Sequence, residues 1–141
     1  MIHTGAGKCK PGNKPDRFIL YNFDIGGDRP KYEHIVFLRE NVTQLLRVKR
    51  EIVLLGTTDR AGTGGGNQEL AKKRAANTLA FLRSEVANGF EARAGSENEF
   101  GFFLKTDWGQ RFDGAFDENE RAVLICTYAP GYFSKRKWSS H

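Results

Sequence analysis

The sequence contains few of the residues that staple small folds or hold metal ions. Its 141 residues include two cysteines, Cys9 and Cys126, and three histidines, His3, His34 and His141. Two cysteines exclude a disulfide-dense scaffold and allow at most one internal bridge. Because Cys126 lies in an apolar run and nothing demands a bridge, we expect two free thiols. The histidines have no second ligand at metal spacing, so we expect no metal site and place His34 on a helix surface.

Long hydrophobic runs are also absent. No apolar stretch approaches the length of about 18 residues that a membrane-spanning helix needs. The segment 1–17 lacks the apolar core of a signal peptide, and Cys9 follows Lys8 without the apolar stretch of a lipoprotein acylation site. Hydrophobic residues make up 39% of the chain and charged residues 28%. This composition is that of a globular protein. The length fits one domain, since domains most often have ~100–150 residues.

The net charge of +5 and the pI of 9.4 first suggest a nucleic-acid partner. The excess, however, lies at the two ends of the chain. Residues 1–17 hold four bases and one acid, residues 130–141 hold three bases and no acid, and residues 18–129 are nearly neutral. The composition of the body therefore indicates no basic face, and no recognition motif is present. We expect no nucleic-acid partner.

Hydrophobic patterns predict four strands and two helices in the body. Ile35, Leu38, Val42 and Leu46 recur at helical spacing, and Asn67 stands where the second helix would have its N-cap. Continuous apolar runs, such as residues 52–55, are typical of strands covered on both faces. The predicted elements are strands at 18–23, 52–55, 90–94 and 122–126 and helices at 31–47 and 68–87; residues 95–118 stay unassigned.

The order strand–helix–strand–helix–strand–irregular–strand predicts an α+β domain with helices packed on a sheet. The glycine- and proline-rich N-terminal segment has no apolar periodicity, which indicates a flexible region. We therefore predict a basic N-terminal tail at 1–17, one domain at 18–129 and a basic C-terminal tail at 130–141.

One stretch combines an acid and a base at suggestive positions. Asp59 follows the buried strand at 52–55, and Arg74 lies about two turns into the next helix. A short connection folds that helix back across the strand end, which would bring the two side chains together. An acid and an arginine facing a cleft can bind a zwitterion, carboxylate to guanidinium and ammonium to carboxylate. A structural salt bridge between Asp59 and Arg74 is the alternative that spacing alone leaves open.

Other patterns point to no chemistry. The glycine run at 62–66 leads from a strand into a helix, as phosphate-binding loops do, but no Gly-Lys-Ser/Thr follows it. It is therefore interpreted as a plain connection. No nucleophile stands beside a base at a recognisable spacing, so we expect no enzyme and no cofactor.

The residues around this pair resemble a known signature. The pattern Thr58-Asp59-x-x-Gly62, followed by Asn67-x-x-Leu70-x-x-x-Arg74-Ala75, resembles the motif of OmpA-like peptidoglycan-binding domains. This family includes peptidoglycan-associated lipoprotein and MotB-type stator proteins. Upstream, Phe23-Asp24 with Asp28 resembles the end of the family's first strand. Downstream, Asn119-Glu120-Arg121-Ala122 resembles its closing strand, with Glu120 where the family usually has arginine. The resemblance covers roughly residues 18–128.

The resemblance implies a fold and a function. The fold would be a two-layer βαβαβ(α)β sandwich with helices on one face of a mixed sheet. The function would be non-catalytic binding of peptidoglycan through the diaminopimelate of its stem peptide, in the periplasm or cell envelope. Arg74 would hold a carboxylate and Asp59 the amine. Asn67 and Leu70 would shape the pocket, with Asp28 and Arg121 nearby, although Asn67 read alone is a helix cap and Leu70 a core residue.

A second hypothesis keeps the fold and changes the function. In it the chain is a repurposed OmpA-like interaction domain of a secretion or envelope assembly, and the Asp59–Arg74 pair is structural. The segment 101–117 is rich in aromatic residues and would contact a protein partner.

Overall fold

A computed structural model of the chain describes residues 2–5, 16–58, 64–86, 89–96 and 121–135. The strands are β1 (Ile2–Gly5), β2 (Asp16–Leu20), β3 (Glu51–Thr57), β4 (Glu91–Ser96) and β5 (Ala122–Tyr128). The helices are α1 (Tyr32–Phe37), α2 (Thr43–Lys49), α3 (Gly64–Glu85) and α4 (Tyr132–Lys135), and a π-helical turn at Leu38–Val42 joins α1 to α2.

The five strands form one mixed sheet in the order β1-β2-β5-β3-β4. Strands β3 and β4 are parallel, because α3 returns the chain between them, and the other neighbours are antiparallel. The predicted α+β architecture, with helices packed on a mixed sheet, is confirmed. All four predicted strands and both predicted helices are present, with bounds that differ by a few residues.

The sheet has an apolar cluster on each face, since strand side chains alternate between faces. On the first face, Ile52 and Leu54 of β3 pack against α1, α2 and α3. On the second face, Val53 and Leu55 of the same strand belong to a separate buried cluster that includes Tyr132 and Phe133 of α4. Burial on both faces explains the unbroken apolar run that predicted this strand.

Regular structure extends into both segments that were predicted to be tails. At the N-terminal end, β1 pairs with β2, with Ile2 opposite Leu20. At the C-terminal end, the buried carboxylate of Glu51 accepts the backbone N–H of Gly131 at 2.6 Å and that of Phe133 at 2.7 Å, at the start of α4. Both elements are too short to show a periodic pattern in the sequence. They form because they bond to other parts of the fold.

The expectation of two free thiols is wrong, because Cys126 is disulfide-bonded. It lies in β5, fully buried on the second face of the sheet. The sequence has one other cysteine, Cys9, which lies outside the described residues. Within the sheet, Arg17 of β2 stands directly opposite Cys126. Nothing in the sequence around Cys126 indicates that this residue is disulfide-bonded.

Candidate functional site

Arg74 is the best-placed of the predicted site residues. It lies near the middle of α3, and only 1% of its surface is exposed. Helix α3 crosses close above the end of β3, where the backbone of Ala71 meets Gly56. This approach brings the Arg74 guanidinium to the last residue of the strand, where Nη1 donates to the Thr57 carbonyl at 3.0 Å. The predicted closeness of Arg74 to the strand end is therefore present in the fold.

The guanidinium also holds the segment between β2 and α1. Arg74 Nε donates to the Gly27 carbonyl at 2.7 Å, and Nη2 donates to the Asp24 carbonyl at 3.0 Å. Its central carbon lies 5.6 Å from the centre of the Phe23 ring. The rigid planar fork lets arginine reach three separate carbonyls on two segments through three different nitrogens, whereas lysine carries all its donors on one nitrogen.

This segment, residues 22–28, is here called the anchored loop. Four of its carbonyls accept side-chain hydrogen bonds: Phe23 from Arg121, Asp24 and Gly27 from Arg74, and Asp28 from Asn77. A turn closes it, with the N–H of Gly27 donating to the Asp24 carbonyl and Gly26 at a φ of +70°. The loop is therefore held by side chains from α3 and from the residue before β5.

Asp28 belongs to this loop, and Arg121, the residue before β5, contacts it; the family resemblance implied that both lie near Arg74. Arg121 Nε donates to the Phe23 carbonyl at 2.7 Å, Nη2 donates to Asn22 Oδ1 at 3.1 Å, and the Arg121 carbonyl accepts the Phe23 N–H. Asp28 is partly exposed, and its backbone carbonyl accepts from Asn77 Nδ2 at 2.9 Å. No sequence pattern singles out Asn77, because its contact depends on the path of the loop.

Asn67 is not the N-cap of α3. The helix begins at Gly64, inside the glycine run, so Asn67 lies within its first turn. The expected boundary was wrong because glycines that weaken an isolated helix are tolerated when packing holds it. Leu70 follows one turn later and is partly buried. Asp59 lies outside the described residues, two positions after Thr57 in the sequence.

His34 is a residue of this region that sequence reasoning misplaced. It is fully buried rather than on the helix surface, and its ring stacks on Phe23 with centroids 4.8 Å apart. The Lys31 N–H donates to Nδ1 at 3.0 Å, and Nε2 lies 2.8 Å from the Tyr21 carbonyl. A ring that accepts at Nδ1 and donates at Nε2 is neutral imidazole. It joins the chain before the anchored loop to the chain after it.

Burial lowers the pKa of His34 below its ordinary value of 6.5, because desolvation disfavours the imidazolium more than the bond to the Tyr21 carbonyl and the nearby Glu33 favour it. Above this value His34 is neutral in both states and adds no pH dependence. As the pH falls below it, the unfolded chain takes up a proton that the folded protein refuses, so stability falls. The loss is at most about 1.4 kcal/mol per pH unit and ends at the lowered folded pKa.

We therefore expect the free energy of unfolding to fall more steeply with acidity in the parent than in His34→Gln. Urea unfolding at steps between pH 7.5 and 5 measures both slopes. His3 and His141 are present in both proteins, so their contributions cancel in the difference. Equal slopes would show that His34 is not the titrating group.

Among the residues that the structure describes, no group of three or more His, Cys, Asp or Glu could hold a metal ion. Within the same residues, every helix is too short or too polar to cross a bilayer.

Comparison with known proteins places the fold. Neither a family model nor a curated protein matches the chain. Solved structures do. The T6SS cell wall anchor from Pseudomonas aeruginosa aligns with a TM-score of 0.59 and 16% identity, over 89% of this chain and 87% of that one. The OmpA-like domain of FopA1 from Francisella tularensis aligns with a TM-score of 0.58 and 11% identity, over 94% and 80%. This chain has the OmpA-like fold.

The peptidoglycan-associated lipoprotein from Burkholderia pseudomallei shares the OmpA-like fold at 21% identity and a TM-score of 0.56, over 77% of this chain and 88% of that one. The resemblance predicted from the motif is confirmed at the level of the fold. At these levels of sequence identity, the similarity shows a shared fold only.

Proposed function

We propose that this OmpA-like domain binds bacterial peptidoglycan without catalysis, through the diaminopimelate of the stem peptide. The observation that supports this most directly is the place of Arg74. It lies at the end of β3, bonded to the carbonyl of Thr57, and Asp59 follows two residues later in the sequence. An arginine and an aspartate at one strand end supply a donor fork for a carboxylate and an acceptor for an ammonium.

Diaminopimelate carries both groups, so the proposed roles follow from charge. Arg74 holds a carboxylate and Asp59 the amine. Asn67 and Leu70, in the first two turns of α3, shape the wall of the pocket. Asp28 lies on the anchored loop beside it, and Arg121 holds that loop from the position before β5. Binding of this kind needs positioned charges and no reacting group.

Two further observations support a role in the cell envelope. Two of the similar solved structures are a peptidoglycan-associated lipoprotein and a cell wall anchor. The disulfide of Cys126 suits an oxidising compartment, since disulfides persist in the periplasm and outside cells and are rare in the cytosol. We propose that the domain acts in the periplasm, within the cell envelope.

The test is co-sedimentation with purified sacculi. Asp59→Ala is expected to weaken binding by at least about tenfold, because a charge-assisted hydrogen bond contributes ~1.5–3 kcal/mol. Free diaminopimelate should compete with the parent. Lys73→Ala is the matched control, since it removes an exposed charge next to Arg74 on the same helix. If Asp59→Ala sediments as the parent does, the site assignment fails.

One observation favours a second function, that of a repurposed interaction domain. The Arg74 guanidinium is almost fully buried and donates to three backbone carbonyls, which is what a purely structural arginine does. In this case the parent itself would not sediment with sacculi, and Asp59→Ala would lower the thermal midpoint. The partner surface would be the aromatic segment 101–117, which lies outside the described residues.

A further inference from the structure

Exposed basic side chains gather at the end of the domain opposite Arg74. Strands β3 and β4 begin there, and helices α2 and α3 end there. Arg47 and Arg50 are exposed at the end of α2, and Arg83 is exposed in the last turn of α3. We call these three arginines, together with the exposed Val48 between the first two, the basic pole.

Direct contacts join the parts of the basic pole. The Arg50 carbonyl accepts the N–H of Glu91 at 2.8 Å, which ties the end of α2 to the start of β4. Arg83 lies over the ring of Phe90, with its central carbon 4.6 Å from the ring centre. Phe90 and Glu91 are neighbours in the chain, so the two arginines flank the same short stretch.

Nearby carboxylates do not neutralise this pole. Glu51 is buried and accepts the N–H groups at the start of α4. Glu85 pairs with Arg39 at 2.7 Å. Among the described carboxylates at this end of α2, α3, β3 and β4, this leaves Glu91 exposed against three arginines. Composition could not show this, because residues 18–129 as a whole are nearly neutral.

The helix dipole explains only part of the arrangement. Cations are favourable in the last turn of a helix, which accounts for Arg47 and Arg83. The dipole also favours Arg50, the C-cap of α2, although Arg50 has a left-handed backbone at φ 67° that arginine rarely adopts. It does not account for Val48, which is 72% exposed. An exposed aliphatic side chain among bases suits a surface that meets lipid headgroups, where the charges contact phosphates and the apolar group enters the interface.

We propose that the basic pole docks on a membrane surface rich in anionic phospholipid. The start of α4 is held by Glu51, the residue after Arg50, and the sequence after α4 continues with Arg136, Lys137 and Trp138. Bases followed by tryptophan are again suited to a membrane interface. Because the pole lies opposite Arg74, the domain can contact lipid and a ligand at the Arg74 end at the same time.

The experiment is co-sedimentation of the full chain with phosphatidylcholine vesicles, with and without one-third phosphatidylglycerol. Binding is expected only to the anionic vesicles and should weaken with salt. The double variant Arg47→Gln with Arg50→Gln should bind about 30-fold more weakly, since each base near such a surface contributes ~1 kcal/mol. The control pair Arg29→Gln with Lys73→Gln removes the same charge from exposed positions at the Arg74 end and should bind as the parent does.

Three outcomes would overturn the proposal. They are equal binding to both vesicle types, equal loss in the two double variants, and pole-dependent binding of duplex DNA with no binding to vesicles. Sacculus binding, measured on the same proteins, should be unchanged in the pole variant. Failure here and failure of the proposed wall-binding function are therefore separate results.

Discussion

Gly56→Ala is expected to destabilise the protein by at least about 3 kcal/mol, because the new methyl group has no space. A Cβ at Gly56 would lie 1.7 Å from the carbonyl oxygen of Ala71 and 2.6 Å from its carbonyl carbon. These are backbone atoms of α3, which a rotamer change cannot move. Relief would require α3 to lift from β3, a strand bonded on both sides in the sheet and buried on both faces.

Equilibrium urea unfolding measures this effect, and Gly89→Ala is the matched control. Gly89 has a φ of +95°, so alanine there is strained, but nothing lies within 4 Å of the position that its Cβ would take. A left-handed backbone costs roughly 1–2 kcal/mol for a residue with a Cβ. Similar losses in the two variants would show that α3 and β3 are less closely packed at Gly56 than these distances require.

Arg74→Ala is expected to cost at least about 3 kcal/mol of stability, because it leaves three backbone carbonyls without their donor. The carbonyls belong to Asp24, Gly27 and Thr57. The anchored loop should become mobile, which amide resonances at 24–28 would report. Arg74→Lys should be intermediate, since one ammonium nitrogen replaces the three guanidinium nitrogens that each hold a different carbonyl.

Lys73→Ala serves as the control for this variant too. It lies one position away on α3 and is exposed, so the unfolding midpoint should change little. If Arg74→Ala unfolds like the control, the three hydrogen bonds contribute nothing net. If Arg74→Ala is destabilised but still binds sacculi, and Asp59→Ala does not bind them, then Arg74 positions the loop and Asp59 contacts the ligand.

Much of the fold was predictable because local patterns and burial agree. The run Ile52-Val53-Leu54-Leu55 is apolar at every position since β3 is buried on both faces. Ile35, Leu38, Val42 and Leu46 mark the buried side of the first helix, although the π-helical turn within it leaves no such mark. The edge strand β1 and the short α4 were missed, because each depends on one partner elsewhere in the chain.

The site was predictable only in part. The spacing from Asp59 to Arg74 predicted that Arg74 lies near the end of β3, and the structure places Arg74 there. What Arg74 contacts was not predictable, since its acceptors include a backbone carbonyl of a loop 50 positions away. The burial of His34 beneath Phe23 and the disulfide of Cys126 were missed for the same reason. The identity of a side chain does not show which distant segment of the backbone will lie next to it in the fold.

The sequence by itself determined the class of fold, the main strands and helices, and the motif that proposes a wall-binding function. It did so because apolar periodicity and glycine spacing act over a few residues. The tertiary structure alone decided that Arg74 organises the anchored loop, that His34 is buried and neutral, and that Arg47, Arg50 and Arg83 meet at one pole. The few cysteines and the near-neutral body had suggested free thiols and no basic face. Both inferences failed because folding brings together residues whose closeness no local pattern records.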